Sequence, residues 1–378
     1  MRSSFAALLV LLLLAGPVAA KQPAPTAPPV AEAGDLCTVA YQLTHPGQCP
    51  MQGPGGRAEF HHRYELPADL PPLAAFHPDV PSPVLTRSYA KVTTANAPIF
   101  ASPEDGAAGN VKRSYGKGFI YVSIGKTVDY GGQEYIKINA DEYMRREDLS
   151  LLDPSQFQGI GFTEQPARPF AWVVRPYFPR LRPDGSVNPG APKLERYTIV
   201  QIYGKERVGD FDWYLVGPDQ WVEQRSLGIV EMQSPPEGVT GKWIAVNLYE
   251  QTVAAYEGDT LVYATLASSG LGAWPTRPGL FQIYSKLEAT KMSGAYAADK
   301  SDFYYLEDVP WTMYFDRSIA LHGAYWHDGY GFPKSHGCVN LAPKDSRWLY
   351  GWAEIGTTVY VYDPSGLTPT DIVPGGGP

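Results

Sequence analysis

The sequence predicts a mainly β protein built from more than one small domain, and three observations carry that reading. Gly (38) and Pro (36) are abundant, which favours turn-rich β structure and linkers over long helices. Short runs with apolar residues at alternate positions recur along the chain, separated by glycine-containing turns. Only Pro343 to Ala353, where Trp348 and Trp352 stand four apart, has helical spacing. At 378 residues the chain is long enough for two or three domains. Hydrophobic residues at 44% and charged residues at 19% exclude a wholly disordered chain. A net charge of -8 excludes a general attraction for nucleic acid or anionic lipid.

At the N-terminus Arg2 precedes an apolar run from Phe5 to Ala15, Gly16-Pro17 break it, and Val18-Ala19-Ala20 offer the small residues a signal peptidase reads. Residues 1–20 are expected to be a cleaved signal peptide, because the run falls short of the ~20 apolar residues that span a bilayer. No later segment is apolar enough to cross a membrane. The mature protein is therefore expected in the periplasm or cell wall, without an integral membrane segment. Residues 21–83 hold 13 of the 36 prolines and read as an extended spacer. Within it Cys37 and Cys49 are expected to pair in an oxidising compartment, which leaves Cys338 as the odd thiol.

The folded part begins with β-type runs such as Phe119-Ile120-Tyr121-Val122 and Tyr135-Ile136-Lys137-Ile138. Sliding the segment around Tyr135 forward by 78 positions sets Tyr135 on Trp213, Asp141 on Asp219, Tyr143 on Trp221 and Leu149 on Leu227. Aromatic positions matched in register predict two small β-barrel units of one type, over 84–153 and 154–237. They resemble bacterial Src-homology-3-like modules, which implies a wall-binding or spacing role; packing platforms that bind nothing are the other reading. After Pro235-Pro236 a third region, 238–365, carries alternating Ile244, Val246 and Leu248, a turn at Glu257-Gly258-Asp259, and further strand-like runs at Leu261 to Leu266, Phe281 to Tyr284, Ser318 to His322 and Thr357 to Tyr362. Residues 366–378 read as a flexible tail.

The chemistry concentrates in that third region. Three of the seven histidines, His322, His327 and His336, fall in one short window that ends two residues before Cys338. A thiol with an ordinary pKa of ~8.5 is only a few per cent thiolate at neutral pH, so a nucleophilic cysteine needs a base such as imidazole. His322 ends a strand-like run and Cys338 follows a Gly337 turn, so the loop between them can fold back and bring ring to sulfur. The same turn can aim the Gly337 and Cys338 amides at a carbonyl oxygen, as an oxyanion hole does. Two other readings stand beside this one: His322, His327, His336 and Cys338 are four zinc-capable ligands, or Cys338 is a buried structural thiol.

With His322 upstream, Ser335-His336-Gly337-Cys338-Val339-Asn340 resembles the catalytic signature of the L,D-transpeptidases, the cysteine acyltransferases of bacterial peptidoglycan. Trp243 to Leu248, Pro275-Thr276-Arg277-Pro278-Gly279 and Val309 to Phe315 look like further landmarks, and Arg277 stands where many members carry proline. The resemblance spans roughly 241–363. It implies a β-sandwich catalytic domain with one short helix, preceded by the two Src-homology-3-like modules. It implies Cys338 as nucleophile, His322 as general base oriented by the Gly323 carbonyl, and His336 with Gly337 shaping the oxyanion environment. Ser335 and Asn340 would brace the turn, and Trp326 and Tyr304 would line the cleft; His327 has no motif counterpart and reads as solvated surface. The implied substrate is the peptidoglycan stem peptide, with no cofactor and no metal. The implied reaction is 3→3 cross-linking, or attachment of another amine acceptor, through a cysteine thioester, and carbapenems would acylate Cys338. The alternatives are an L,D-carboxypeptidase using water, an inactive wall-binding protein, or a cysteine peptidase of another kind.

Overall fold

The computed structural model describes residues 70–139, 142–295, 297 and 299–370, so the expected signal peptide, the Cys37 and Cys49 pairing and residues 371–378 lie outside the described residues. From β1 (Ala75–Phe76) the chain passes through β2 (Ser88–Val92), β3 (Pro98–Ile99), a short helix α1 (Pro103–Ala108), β4 (Arg113–Ser114), β5 (Phe119–Ile124), β6 (Thr127–Tyr130), β7 (Gln133–Asn139), β8 (Glu142–Arg145) and β9 (Leu149–Leu151). Next come β10 (Ile160–Phe162), β11 (Phe170–Val173), β12 (Ile199–Gln201), β13 (Gly204–Val208), β14 (Phe211–Gly217), β15 (Gln220–Glu223) and β16 (Leu227–Val230). The C-terminal half contains β17 (Lys242–Asn247), β18 (Thr252–Glu257), β19 (Thr260–Leu266), β20 (Gly279–Gln282), β21 (Ser285–Gly294), β22 (Tyr304–Asp316), β23 (Ile319–Gly323), β24 (Val339–Leu341), helix α2 (Pro343–Trp352) and β25 (Thr358–Tyr362).

Helix α1 escapes a periodicity search because it is only six residues long. Its ends are set by capping: the Ser102 side chain accepts from the Asp105 amide, and Gly109 closes it in the left-handed conformation.

The 78-residue offset reproduces itself in the structure. It carries the bounds of β7 onto β14 and those of β8 onto β15, and each pair is followed by a single 3-10 turn, Arg146–Asp148 or Gln224–Ser226. Each unit has a meander, β6-β7-β8 or β13-β14-β15, and a three-strand order in which the first strand lies between the second and the last: β5-β2-β9 and β12-β11-β16. Two features cross the expected boundaries. β10 leaves the second unit and pairs with β19, and β1, inside the expected spacer, pairs with β10.

The C-terminal half is two facing sheets. One has the order β1-β10-β19-β18-β17-β25-β20; the other runs β24-β23-β22-β5-β2-β9, with β21 also on β22. Strand alternation decides what each face buries. In β17, Ile244 and Val246 enter the core between the sheets, while Trp243 and Ala245 face outward. That outer face is covered by the second unit through Phe170, Trp172, Val174 and Val230, so β17 is apolar on both sides and its sequence reads as an unbroken run. In the second sheet Met313, Phe315, Ile319, Leu321, Val339 and Leu341 fill the inter-sheet core, joined by Leu349 of α2. Each such side chain contributes ~1.5–3 kcal/mol when fully buried. The residues between them face the other way, and the chemistry is there.

Candidate active site

On β23 the core takes Ile319 and Leu321, leaving His322 on the opposite face; on β24 it takes Val339 and Leu341, leaving Asn340. The two strands run parallel with His322 opposite Asn340. Cys338 immediately precedes β24, two residues before Asn340, and it lines the same cleft as His322. The long sequence gap between them is closed by strand pairing.

The loop that delivers Cys338 is held from several sides. Ser268 exchanges backbone hydrogen bonds with Asn340 (2.9 Å each), and the Ser335 amide donates to the Ser269 carbonyl (3.0 Å). Ser269 is fixed in turn by Gln251, which accepts from its amide (2.8 Å) and donates to its hydroxyl (2.7 Å). Thr276, in the Pro275 to Gly279 turn, donates to the Gly337 carbonyl (2.7 Å) and accepts from the Gly270 amide (2.9 Å). Arg277 makes a bidentate pair with Asp316 at the end of β22 (3.1 and 2.8 Å), which ties this turn to the second sheet. Gly337 has φ 116°, and a Cβ there would stand 2.8 Å from Ile319, so only glycine fits. Gly323 is constrained by close approach: a Cβ would lie 2.5 Å from the Ser346 hydroxyl.

His322 is buried, and its Nδ1 lies 3.3 Å from the Gly323 carbonyl. That contact places the ring proton on Nδ1 and leaves Nε2 as the acceptor nitrogen. Burial lowers its pKa from 6.5 to about 4, so the ring is neutral. Cys338 is a free thiol that keeps partial solvent access. Desolvation pushes it up to about 11, with the Ala320 amide opposing, and the thiol donates to the Ser318 carbonyl (3.8 Å). The resting pair is therefore neutral thiol and neutral imidazole, not a preformed ion pair.

The other expected residues fall as follows. Ser335 braces the turn: its hydroxyl accepts from the Gly337 amide (3.1 Å) and donates to the Cys338 carbonyl. The Gly337 amide is thereby committed and not directed at an oxyanion as expected; the glycine's part is the turn itself. His336 is sandwiched between Trp274 (ring centroids 4.2 Å apart) and Tyr304 (5.0 Å), and burial lowers its pKa. The Trp326 ring centroid is 5.7 Å from that of His322.

His327, expected as solvated surface, instead enters the site. The Gly329 amide donates to its Nδ1 (3.1 Å), and its Nε2 lies 3.0 Å from Nδ2 of the Asn340 side chain. Burial is the main cause that lowers the His327 pKa to about 3, with Lys334 adding to it. Among the described residues no group of three His, Cys, Asp or Glu is placed to hold a metal ion.

One cleft of about 900 Å³ is lined by His322, His327, His336, Cys338, Trp326 and Tyr304 among others. Its size suits a peptide, and its thiol, imidazole and aromatic walls suit acyl transfer.

Comparison with known proteins agrees with that chemistry. Residues 241–361 match the model of the YkuD family, the L,D-transpeptidase catalytic domain. L,D-transpeptidase 1 of Mycobacterium tuberculosis is 24% identical over 171 residues, which cover 40% of this chain and 66% of that protein. The chain thus spans just under two thirds of that relative. A crystal structure of an Enterococcus faecium L,D-transpeptidase mutant is 27% identical over 33% of this chain and 50% of that one, with a TM-score of 0.30. The NMR structure of the catalytic domain of the E. faecium L,D-transpeptidase is 28% identical over 33% of this chain and 99% of that one, also with a TM-score of 0.30.

Proposed function

We propose that the protein is an exported peptidoglycan L,D-transpeptidase that forms 3→3 cross-links through a thioester on Cys338. The observation that carries this reading is the β23–β24 register, which sets His322 beside the segment bearing Cys338 on the face of a peptide-sized cleft. The Cys338 sulfur attacks the carbonyl on the L-centre of the diamino acid at stem position three while His322 Nε2 takes the thiol proton. Because both groups are neutral at rest, proton transfer accompanies attack. The imidazolium then returns the proton to the departing amine, and terminal D-alanine leaves. The side-chain amine of a neighbouring stem gives a proton to His322, attacks the thioester and restores the thiol, leaving a new amide bond. Trp326 and Tyr304 line the route of the stem, and the Cys338 amide is the remaining backbone donor for the oxyanion. The two upstream units are read as Src-homology-3-like modules that place this domain on the wall, in the periplasm or cell envelope.

Incubating the protein with isolated disaccharide-tetrapeptides and resolving the products by mass spectrometry tests the reading. Cross-linked dimers are expected. Trimmed monomers alone would make it an L,D-carboxypeptidase, and unchanged substrate would reduce it to a binding protein.

A further inference from the structure

The cleft is not walled by the C-terminal half alone. Lys91, Phe119 and Tyr121, all from the first repeat unit, line it as well, whereas no residue of the second unit does. The reason is the parallel pairing of β5 with β22, which sets Phe119 beside Tyr304 and Tyr121 beside Leu306. Following the register outward, Lys91 of β2 is opposite Tyr121, and Met292 of β21 is opposite Leu306. Lys91, Tyr121, Leu306 and Met292 therefore form one lateral row across four strands, on one face of one sheet, and all four line the cleft. Lys291 stands at the register shift between Thr290 and Met292, a bulge of the kind that re-aims a side chain, and lines the cleft beside Met292.

The charges in this lining are unbalanced. Lys91, Lys291 and Lys334 face a single carboxylate, Asp302, while the three histidines are held toward their neutral forms. Lys91 and Lys291 are exposed, and among the described residues neither has an ion-pair partner. A concave site with an excess of one sign concentrates ligands of the other.

We propose, building on the stem-peptide chemistry above, that the first repeat unit completes the substrate site. Lys91, acting with Lys291 across the shared sheet, binds carboxylates of the peptide stem, while Phe119 and Tyr121 support its apolar parts. The unit is a substrate-binding wall of the cleft as well as a spacer.

The test uses the full chain carrying Cys338→Ser, so that ligand is bound but not turned over, and titrates it with a synthetic anionic stem tetrapeptide and with the same peptide amidated at its carboxylates. Adding Lys91→Glu and Lys291→Glu together is expected to weaken binding of the anionic peptide by roughly tenfold, since each exposed pair is worth little but two are reversed. The amidated peptide should bind the charge-reversed protein as it binds the parent, Lys91→Arg should retain affinity, and Lys126→Ala, outside the cleft lining, should change nothing. Equal affinity of parent and charge-reversed proteins for the anionic peptide would overturn the subsite and leave the transpeptidase reading standing. So would equal loss for both peptides, which would mean a structural defect. A parent that binds neither peptide would overturn both.

Discussion

In the first repeat unit the strand order β5-β2-β9 continues into the C-terminal half through β5 and β22; in the second, β12-β11-β16 ends at its own edges and packs face-on against β17 and β18. The units share a topology and a 78-residue offset, yet one enters the cleft and the other supports the opposite sheet. The join on the first side is polar and specific. Glu307 of β22 is buried and accepts from the Tyr115 hydroxyl (2.8 Å), the Ser123 amide (3.0 Å) and hydroxyl (3.2 Å), and the Tyr305 hydroxyl (3.0 Å). The join on the second side is mainly apolar, with Glu250 accepting the Ile229 amide (2.9 Å) through one oxygen while its other oxygen has no partner among the described residues. Two units of one topology thus join the C-terminal half in different ways, one by extending a sheet and one by packing face-on.

Substitutions on the two sides should separate accordingly. The largest effect is expected on the sheet that the first unit extends: His322→Ala should lower kcat/KM by about two to four orders of magnitude, the usual range for a lost general base, with little change in melting temperature. A wild-type rate would move the base elsewhere. Glu307→Ala should come next, destabilising the protein by ~1–3 kcal/mol because buried donors lose their acceptor, and raising KM for a stem substrate as the wall loosens. Urea unfolding and steady-state kinetics on one preparation would show both, and unchanged KM would detach the first unit from the site.

The pH dependence follows from the buried imidazoles. An ordinary histidine would cost the enzyme its base near pH 6.5, but His322, lowered to about 4, stays neutral, so kcat/KM should hold down to about pH 4. Stability moves earlier. The unfolded chain binds protons at His322 and His327 near pH 6.5 while the folded chain resists to about 4 and about 3, so stability is full above 6.5 and declines as pH falls below it. Melting curves that stayed flat from pH 7 to 4 would contradict this. The smallest effect belongs to the second unit. Burial raises the Glu250 pKa well above its ordinary value, which favours the neutral form, and Glu250→Gln should change kinetics not at all and stability by less than about 1 kcal/mol.

Much of this was legible in the sequence wherever local alternation decides the outcome. Ile319 and Leu321 against His322, and Val339 and Leu341 against Cys338 and Asn340, already sort core from cleft, and the motif supplies the chemistry. Pairing of Phe119 to Tyr121 with Tyr304 to Leu306 was not legible, because no local pattern names a distant partner strand. β21 was missed for a different reason: its mostly exposed residues carry no apolar period. His327 looked like surface because it sits in a turn and its partner is fixed by backbone geometry. Thr276 stood inside a recognised landmark, but its bond to the Gly337 carbonyl required the fold.

The most direct test is intact-protein and peptide mass spectrometry after brief exposure to a carbapenem, or to a stem tetrapeptide with no acceptor. A single adduct on the peptide containing Cys338, absent from Cys338→Ser and formed much more slowly by His322→Ala, is the expected result. No adduct on the wild-type protein, or one on another residue, would contradict acyl transfer through this sulfur.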